Sequence, residues 1–292
     1  MKELKNIAVV LRGHVRTWHF CAPKVFDFYD QIAENVDYYF ITWDSSNTDG
    51  IEETFKDQNL IHFQIVNWQL ENSILSGGGQ EGRWYNGHLG PPFMNMLVLP
   101  HLRRRERHLG KKYNCVFDTR PDVLPFRSIY IKGEFAGKPI PLTKPEDNSV
   151  YVTGLELHRN LSPGDVKEGI EDIAIQDWFM YMNSDVYEEM IRRYHPDHFI
   201  HKLGRGPGTQ IELREYITEN NMYLCTNDWV RAYMMRPSVY QLDWLDSQSV
   251  STIINSSNLW QDLERDEKIR LCKRYGISLS DYVDTPSITC KI

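Results

Sequence analysis

At 292 residues the chain can bury a full core as one large domain, or as one domain with an appendage. Its 41% hydrophobic and 25% charged residues exclude a disordered polymer, and its net charge of −7 leaves only a local basic patch to attract nucleic acid. Five scattered cysteines without a Cys-x-x-Cys pair fit reduced thiols in a cytosol-like compartment better than a disulfide framework.

Met1–Asn6 lacks the apolar core of a signal peptide, and no apolar run approaches the roughly 20 residues that span a bilayer. A cytoplasmic protein without a membrane span is expected. Ile7–Leu11 is a continuous apolar run, as in a strand covered on both faces, and it ends in Arg12-Gly13-His14-Val15-Arg16. Gly13 permits a tight turn or a close ligand approach, and Arg16 offers a two-point donor for a diphosphate or is a plain surface arginine. Helical spacing over Ala22–Val36, with Pro23 in the first turn, precedes a second strand at Tyr38–Thr42 that closes in Trp43-Asp44. This is the β-α-β opening of a parallel sheet. Asp44 suits a ribose or base with Trp43 stacking nearby, or it caps a helix.

His62–Trp68 predicts a third strand. The glycine-rich segment Ser76–Pro92 predicts a long loop without a Walker pattern, after which Pro91 and Pro92 start a helix that Pro100 interrupts. Beyond Pro100 the chain turns basic, with Arg103, Arg104, Arg105, Arg107, Lys111 and Lys112. That run is either a solvated helix face or a patch that tracks the phosphates of DNA.

Tyr113–Phe126 carries the densest signal. The apolar run Cys115–Phe117 gives way to Asp118, Arg120 and Asp122, which alternation puts on one face of a strand. They are a functional cluster at a sheet rim, where ligands of open α/β sheets bind, or a structural ion pair.

Further on, Val150–Thr153 predicts a strand, Glu171–Met182 a nearly all-apolar helix interrupted by Asp172 and Asp177, and Ser184 with Glu188 a capping box for a helix over Val186–Tyr194. Asp177 is either a general base or acceptor-binding group, or a cap or a partner for an arginine such as Arg120. His195, His198 and His201 recur at every third residue, but Pro196 breaks the helix that would align them on a metal. A helix over Gln210–Glu219, strands at Met222–Cys225 and Trp229–Met235, and a C-terminal helix over Ser256–Tyr275 complete the prediction.

The order of Gly13 to Arg16, Trp43-Asp44, the helix near Asn95, Arg120-Pro121-Asp122 and the Asp177 segment resembles a GT-A-type glycosyltransferase of the kind found in phages, large viruses and polysaccharide-synthesis clusters. The resemblance implies an α/β fold, with a mostly parallel Rossmann-like sheet flanked by helices in a catalytic domain over 1–245. A helical extension over 246–292 is expected to pack on it. It implies transfer of a sugar from a nucleoside diphosphate sugar, a UDP-sugar foremost, to a hydroxyl of a glycan or of a hydroxymethylated base in phage DNA, the latter in the host cytoplasm. Gly13 and Arg16 would approach the diphosphate, Trp43 and Asp44 the nucleoside, and Asp177 or Asp172 the acceptor as base if the reaction inverts.

Arg120 and Asp122 stand where such enzymes carry a metal-binding Asp-x-Asp. Asp118 and Asp122 are roughly 13 Å apart if extended, so unless the prolines fold the chain back at most one carboxylate, Asp122, would hold a divalent cation, Mn or Mg. Arg120 and Arg16 are the other source of positive charge for the leaving group. The alternative outside the resemblance is a non-catalytic nucleic-acid-binding protein that uses the basic segment 103–112.

Overall fold

The computed structural model describes residues 2–15, 17–44, 46, 48–67, 82–128, 130–131, 134–135, 138–153, 155–157, 173–175, 178–193, 217, 221–227 and 229–234. The chain divides into two compact units, Met1–Ala232 and Tyr233–Ile292, and the described residues fall almost wholly in the first. The expected boundary at 245/246 and the C-terminal helix lie outside the described residues, as do His195, His198 and His201.

β1 (Leu4–Arg12), α1 (Trp18–Ile32) and β2 (Ala33–Trp43) form the expected β-α-β unit, with β1 and β2 parallel from Leu4↔Ala33 to Arg12↔Ile41. The helix is displaced from its predicted bounds by four residues. Trp18, Cys21, Ala22, Val25, Tyr29 and Ile32 make its buried stripe, so Pro23 lies inside it, without an N–H for the carbonyl one turn back. Ala33 and Val36 fit the same helical spacing, yet they belong to β2 because the ladder with β1 already begins there.

A short helix α2 (Ile51–Thr54) leads to β3 (Asn59–Val66), parallel to β2. The predicted start at His62 came three residues late, since pairing begins at Asp37↔Asn59.

α3 (Gly82–Leu109) replaces the last part of the predicted glycine-rich loop, and Pro91, Pro92 and Pro100 all lie within it. Local propensity is a weak prior against tertiary burial, and here Met94, Val98 and Leu102 at four-residue spacing are fully buried against the sheet. β4 (Cys115–Thr119) then returns on the other side of β1, parallel to it, with Val10↔Asp118 in register.

β5 (Val123–Arg127), β6 (Tyr130–Ile131), β7 (Glu134–Phe135), β8 (Ser149–Val152), β9 (Leu155–Leu157) and β10 (Ile173–Ile175) follow. β11 (Phe179–Met182) comes where a helix was predicted over Glu171–Met182. All four of its residues are buried because the strand is covered on both faces, which erases the polar alternation that separates a strand from a buried helix.

α4 (Ser184–Arg193) follows, and its first-turn amide at Val186 is capped by the Asn183 side chain at 2.8 Å rather than by Ser184, whose hydroxyl is turned to Glu106. β12 (Tyr223–Thr226) and β13 (Val230–Met234) end the described chain; of the predicted helix over Gln210–Glu219, only Ile217 is described.

The central sheet has seven strands in the order β12-β8-β11-β4-β1-β2-β3. It is mostly parallel, with β11 antiparallel to both its neighbours, and it is flanked by helices in a Rossmann-like arrangement. Counted in chain order within the sheet, this is 3-2-1-4-6-5-7 with the sixth strand reversed.

One face packs aromatic side chains, with Trp18 and Phe26 of α1 against Tyr38, Phe40 and Phe55, and Phe117 against Tyr181 and Trp229. The other face carries aliphatic and methionine side chains, among them Ala8, Val10, Val116, Met180 and Met182, under α3 and α4. No helix among the described residues is long and apolar enough to cross a membrane.

Candidate functional site

The chain leaves β1 through α1 to one neighbour, β2, and later crosses through α3 to the other, β4. The order of connections therefore reverses between β1 and β4, and the crevice outside their carboxyl ends is where open α/β sheets hold ligands. Because β1, β2 and β4 are parallel, Gly13, Asp44 and Arg120 all emerge at that one rim.

Gly13 is in the positive-φ region, at 115°, and a Cβ built there would meet nothing within 4 Å, so the backbone is open on that side. Its N–H still donates to the Ile41 carbonyl at 3.1 Å, extending the ladder by one bond. The loops after β1 and β2 are tied at Ser46, whose hydroxyl meets His14 Nδ1 at 3.2 Å and accepts the Val15 N–H at 3.3 Å. Asp44 is exposed in its turn, whereas Trp43 is only 4% exposed and sits in the core beneath α3.

The β1 loop enters α1 at Thr17, which makes no side-chain cap bond, and the first turn of α1 contains no acidic residue. Four N-terminal amides and the positive end of the helix dipole thus lie beside the switch point.

The predicted comb of Asp118, Arg120 and Asp122 is divided. Asp118 remains in the ladder, fully buried on the α3 face, where Arg12 Nε donates to its Oδ1 at 2.5 Å and Asn95 Nδ2 to its Oδ2 at 2.6 Å. Arg120 and Asp122 lie beyond the strand in a turn closed by a Val123 N–H bond to the Arg120 carbonyl at 3.2 Å. There Arg120 grips Asp122 side-on, with Nε to Oδ1 and Nη2 to Oδ2, both at 2.8 Å. Asp122 is wholly buried and lies near the first turn of α1: burial is the main force that pushes the Cys21 thiol up to about 12, opposed by the Thr17 hydroxyl and aided by the Asp122 charge.

A divalent cation at Asp122 does not fit these residues. Both carboxylate oxygens already accept charge-assisted bonds, Asp118 is held by Arg12 and Asn95, and no three His, Cys, Asp or Glu side chains among the described residues cluster to hold an ion. The guanidinium would also repel the ion, by about 4 kcal/mol per unit charge at 4 Å and an effective dielectric near 20.

Arg16, Asp172 and Asp177 lie outside the described residues. The neighbour of Asp177, Trp178, accepts at its carbonyl the Thr119 hydroxyl at 2.9 Å, because antiparallel β11 begins where β4 ends, with Phe179↔Thr119.

The basic segment is at the other edge. α3 runs antiparallel to the strands, from Asn95 at Asp118 down to Arg105 at Asp37 near the start of β2, about 15 Å away along the helix axis. Three of its six cations are held by carboxylates: Arg103 by Glu106 and Glu188, Arg105 by Asp37 at 2.9 Å, and Lys112 by Asp185. Arg104, Arg107 and Lys111 are exposed.

Reasoning on sequence alone overlooked Arg12 and Asn95. The signal for Arg12 was a cation ending one buried strand while an anion interrupts another; Asn95 gave none. No protein-family model matches the chain, and no curated protein matches its sequence.

Proposed function

We propose that the chain is a glycosyltransferase that moves a sugar from a nucleoside diphosphate sugar, with a UDP-sugar favoured, to an acceptor hydroxyl. The observation that carries this reading is the switch point between β1 and β4, which has a helix N-terminus with no side-chain cap bond from Thr17 and no acid in its first turn, an open positive-φ glycine and Arg120 at its rim. A GT-A-type sheet, mostly parallel and flanked by helices, is consistent with the observed strand order.

In this reading the diphosphate lies against Gly13 and the amides of α1, with Arg16 as a further donor, and the nucleoside lies toward Asp44 with Trp43 as the wall beneath. The acceptor oxygen forms a bond to the anomeric carbon as the bond from that carbon to the β-phosphate oxygen breaks, and the electron pair leaves with the nucleoside diphosphate. In an inverting reaction the acceptor proton goes to Asp177 or Asp172. A glycan hydroxyl is favoured over a base in duplex DNA, because the basic segment is at the opposite edge and half of its cations are already paired.

Calorimetry with UDP, GDP, CDP, ADP and dTDP tests the reading, with dissociation constants between about 1 μM and 1 mM expected for at least one. Silence across the panel would refute it. With the preferred donor in hand, either Asp177→Asn or Asp172→Asn should abolish transfer and preserve binding if the reaction inverts.

A further inference from the structure

We infer that the site binds the diphosphate of its donor without a metal ion, the guanidinium of Arg120 standing in the position where a divalent cation would otherwise neutralise it. This rests on the nucleotide-sugar reading and specifies how that site handles charge.

Arg120-Pro121-Asp122-Val123 is a four-residue turn. Pro121 fixes φ at the second position, the Val123 N–H closes the turn on the Arg120 carbonyl, and Asp122 is directed inward until none of it is exposed. Arg120 is 22% exposed, so the pair is layered, with the carboxylate below and the guanidinium above at the rim.

Of the three guanidinium nitrogens, Nε and Nη2 are spent on Asp122. Nη1, with both its protons, and the second proton of Nη2 remain as an end-on fork of donors fixed by the carboxylate behind them. A donor fork held in place before the ligand arrives is the arrangement that stabilises developing negative charge most, since no reorganisation is needed when the charge appears.

Asp122 then has a task that differs from ligating metal: it orients Arg120. The same residues explain why a cation is refused at Asp122, because that carboxylate is buried under a guanidinium that occupies both its oxygens. Arg120 acts together with the first turn of α1, which Asp122 approaches at Cys21 and which has no acid of its own to compete with a phosphate.

The test is calorimetry of the five nucleoside diphosphates with the full chain, first in excess EDTA and then in excess manganese or magnesium. The expected result is the same affinity in both, with Arg120→Ala weakening the preferred diphosphate by about 10- to 100-fold in EDTA and Arg120→Lys giving an intermediate loss, since the charge is kept and the fork is not. Asp122→Asn should weaken binding as well, while the nucleoside without phosphates binds variant and parent alike.

Binding that appears only with the metal overturns the inference and leaves the glycosyltransferase reading intact. Undiminished binding by a folded Arg120→Ala variant in EDTA also overturns the inference alone. If no diphosphate binds in either buffer, both fall. The comparison of buffers uses the unaltered chain, so it stands even where a variant fails to fold.

Discussion

Arg12 and Asp118 are 3% and 0% exposed, so their pairing replaces hydration that neither group can recover alone. Arg12→Met should therefore lose about 3–5 kcal/mol in urea unfolding by removing the cation beside buried Asp118, whose charge the Asn95 amide does not neutralise, and adding Asp118→Leu should recover most of it. Gly13 is constrained by conformation: nothing would touch an added Cβ, so Gly13→Ala should lose roughly 1–2 kcal/mol through backbone strain alone, with Gly13→Ser similar. Cys21 offers a chemical check. A thiol held near 12 by burial is almost wholly protonated at neutral pH, so iodoacetamide should label it in the native chain far more slowly than in urea, and equal rates would contradict its placement.

Among the elements, β3 meets α3 through His62 and His101, whose rings stack at 3.6 Å and 17°. His101 is lowered from its ordinary 6.5 by burial first, then by His62 and Arg104; Asp37, on the strand beside β3, is held by Arg105 and Tyr113. A lowered histidine leaves the native state reluctant to take a proton. The stability it permits is thus present above about pH 6.5 and declines as pH falls through its lower native value. Urea midpoints measured from pH 7.5 downward should fall less steeply in His101→Phe than in the parent.

The same contrast between local and distant information explains what could be read from the chain. The β1-α1-β2 unit was legible because its apolar runs and helical stripe are encoded next to one another. β11 was not, since a strand buried on both faces shows no alternation, and the pairing of Arg12 with Asp118 depends on a register set across 106 residues. Arg120 and Asp122 were legible as a cluster, with an ion pair as one of its two readings; that these two clasp each other, apart from Asp118, follows from the turn at Pro121.

For the molecule as a whole, the two edges of the sheet carry different chemistry. Arg104→Glu with Arg107→Glu and Lys111→Glu changes six units of charge at the amino edge, yet nucleotide affinity at the carboxyl edge should be nearly unchanged at physiological ionic strength. The separation exceeds the screening length of about 8 Å. A large loss would mean that the basic segment belongs to the ligand site.

The reversed strand has a consequence for how variants should combine. Chain that departs from β4 and chain that arrives at β11 share a border at Thr119 and Trp178, 59 positions apart along the polypeptide. Second-site suppressors of lesions just past Thr119 should thus arise in the stretch that feeds Trp178, and heredity should couple these two distant stretches more closely than either is coupled to its flanking sequence.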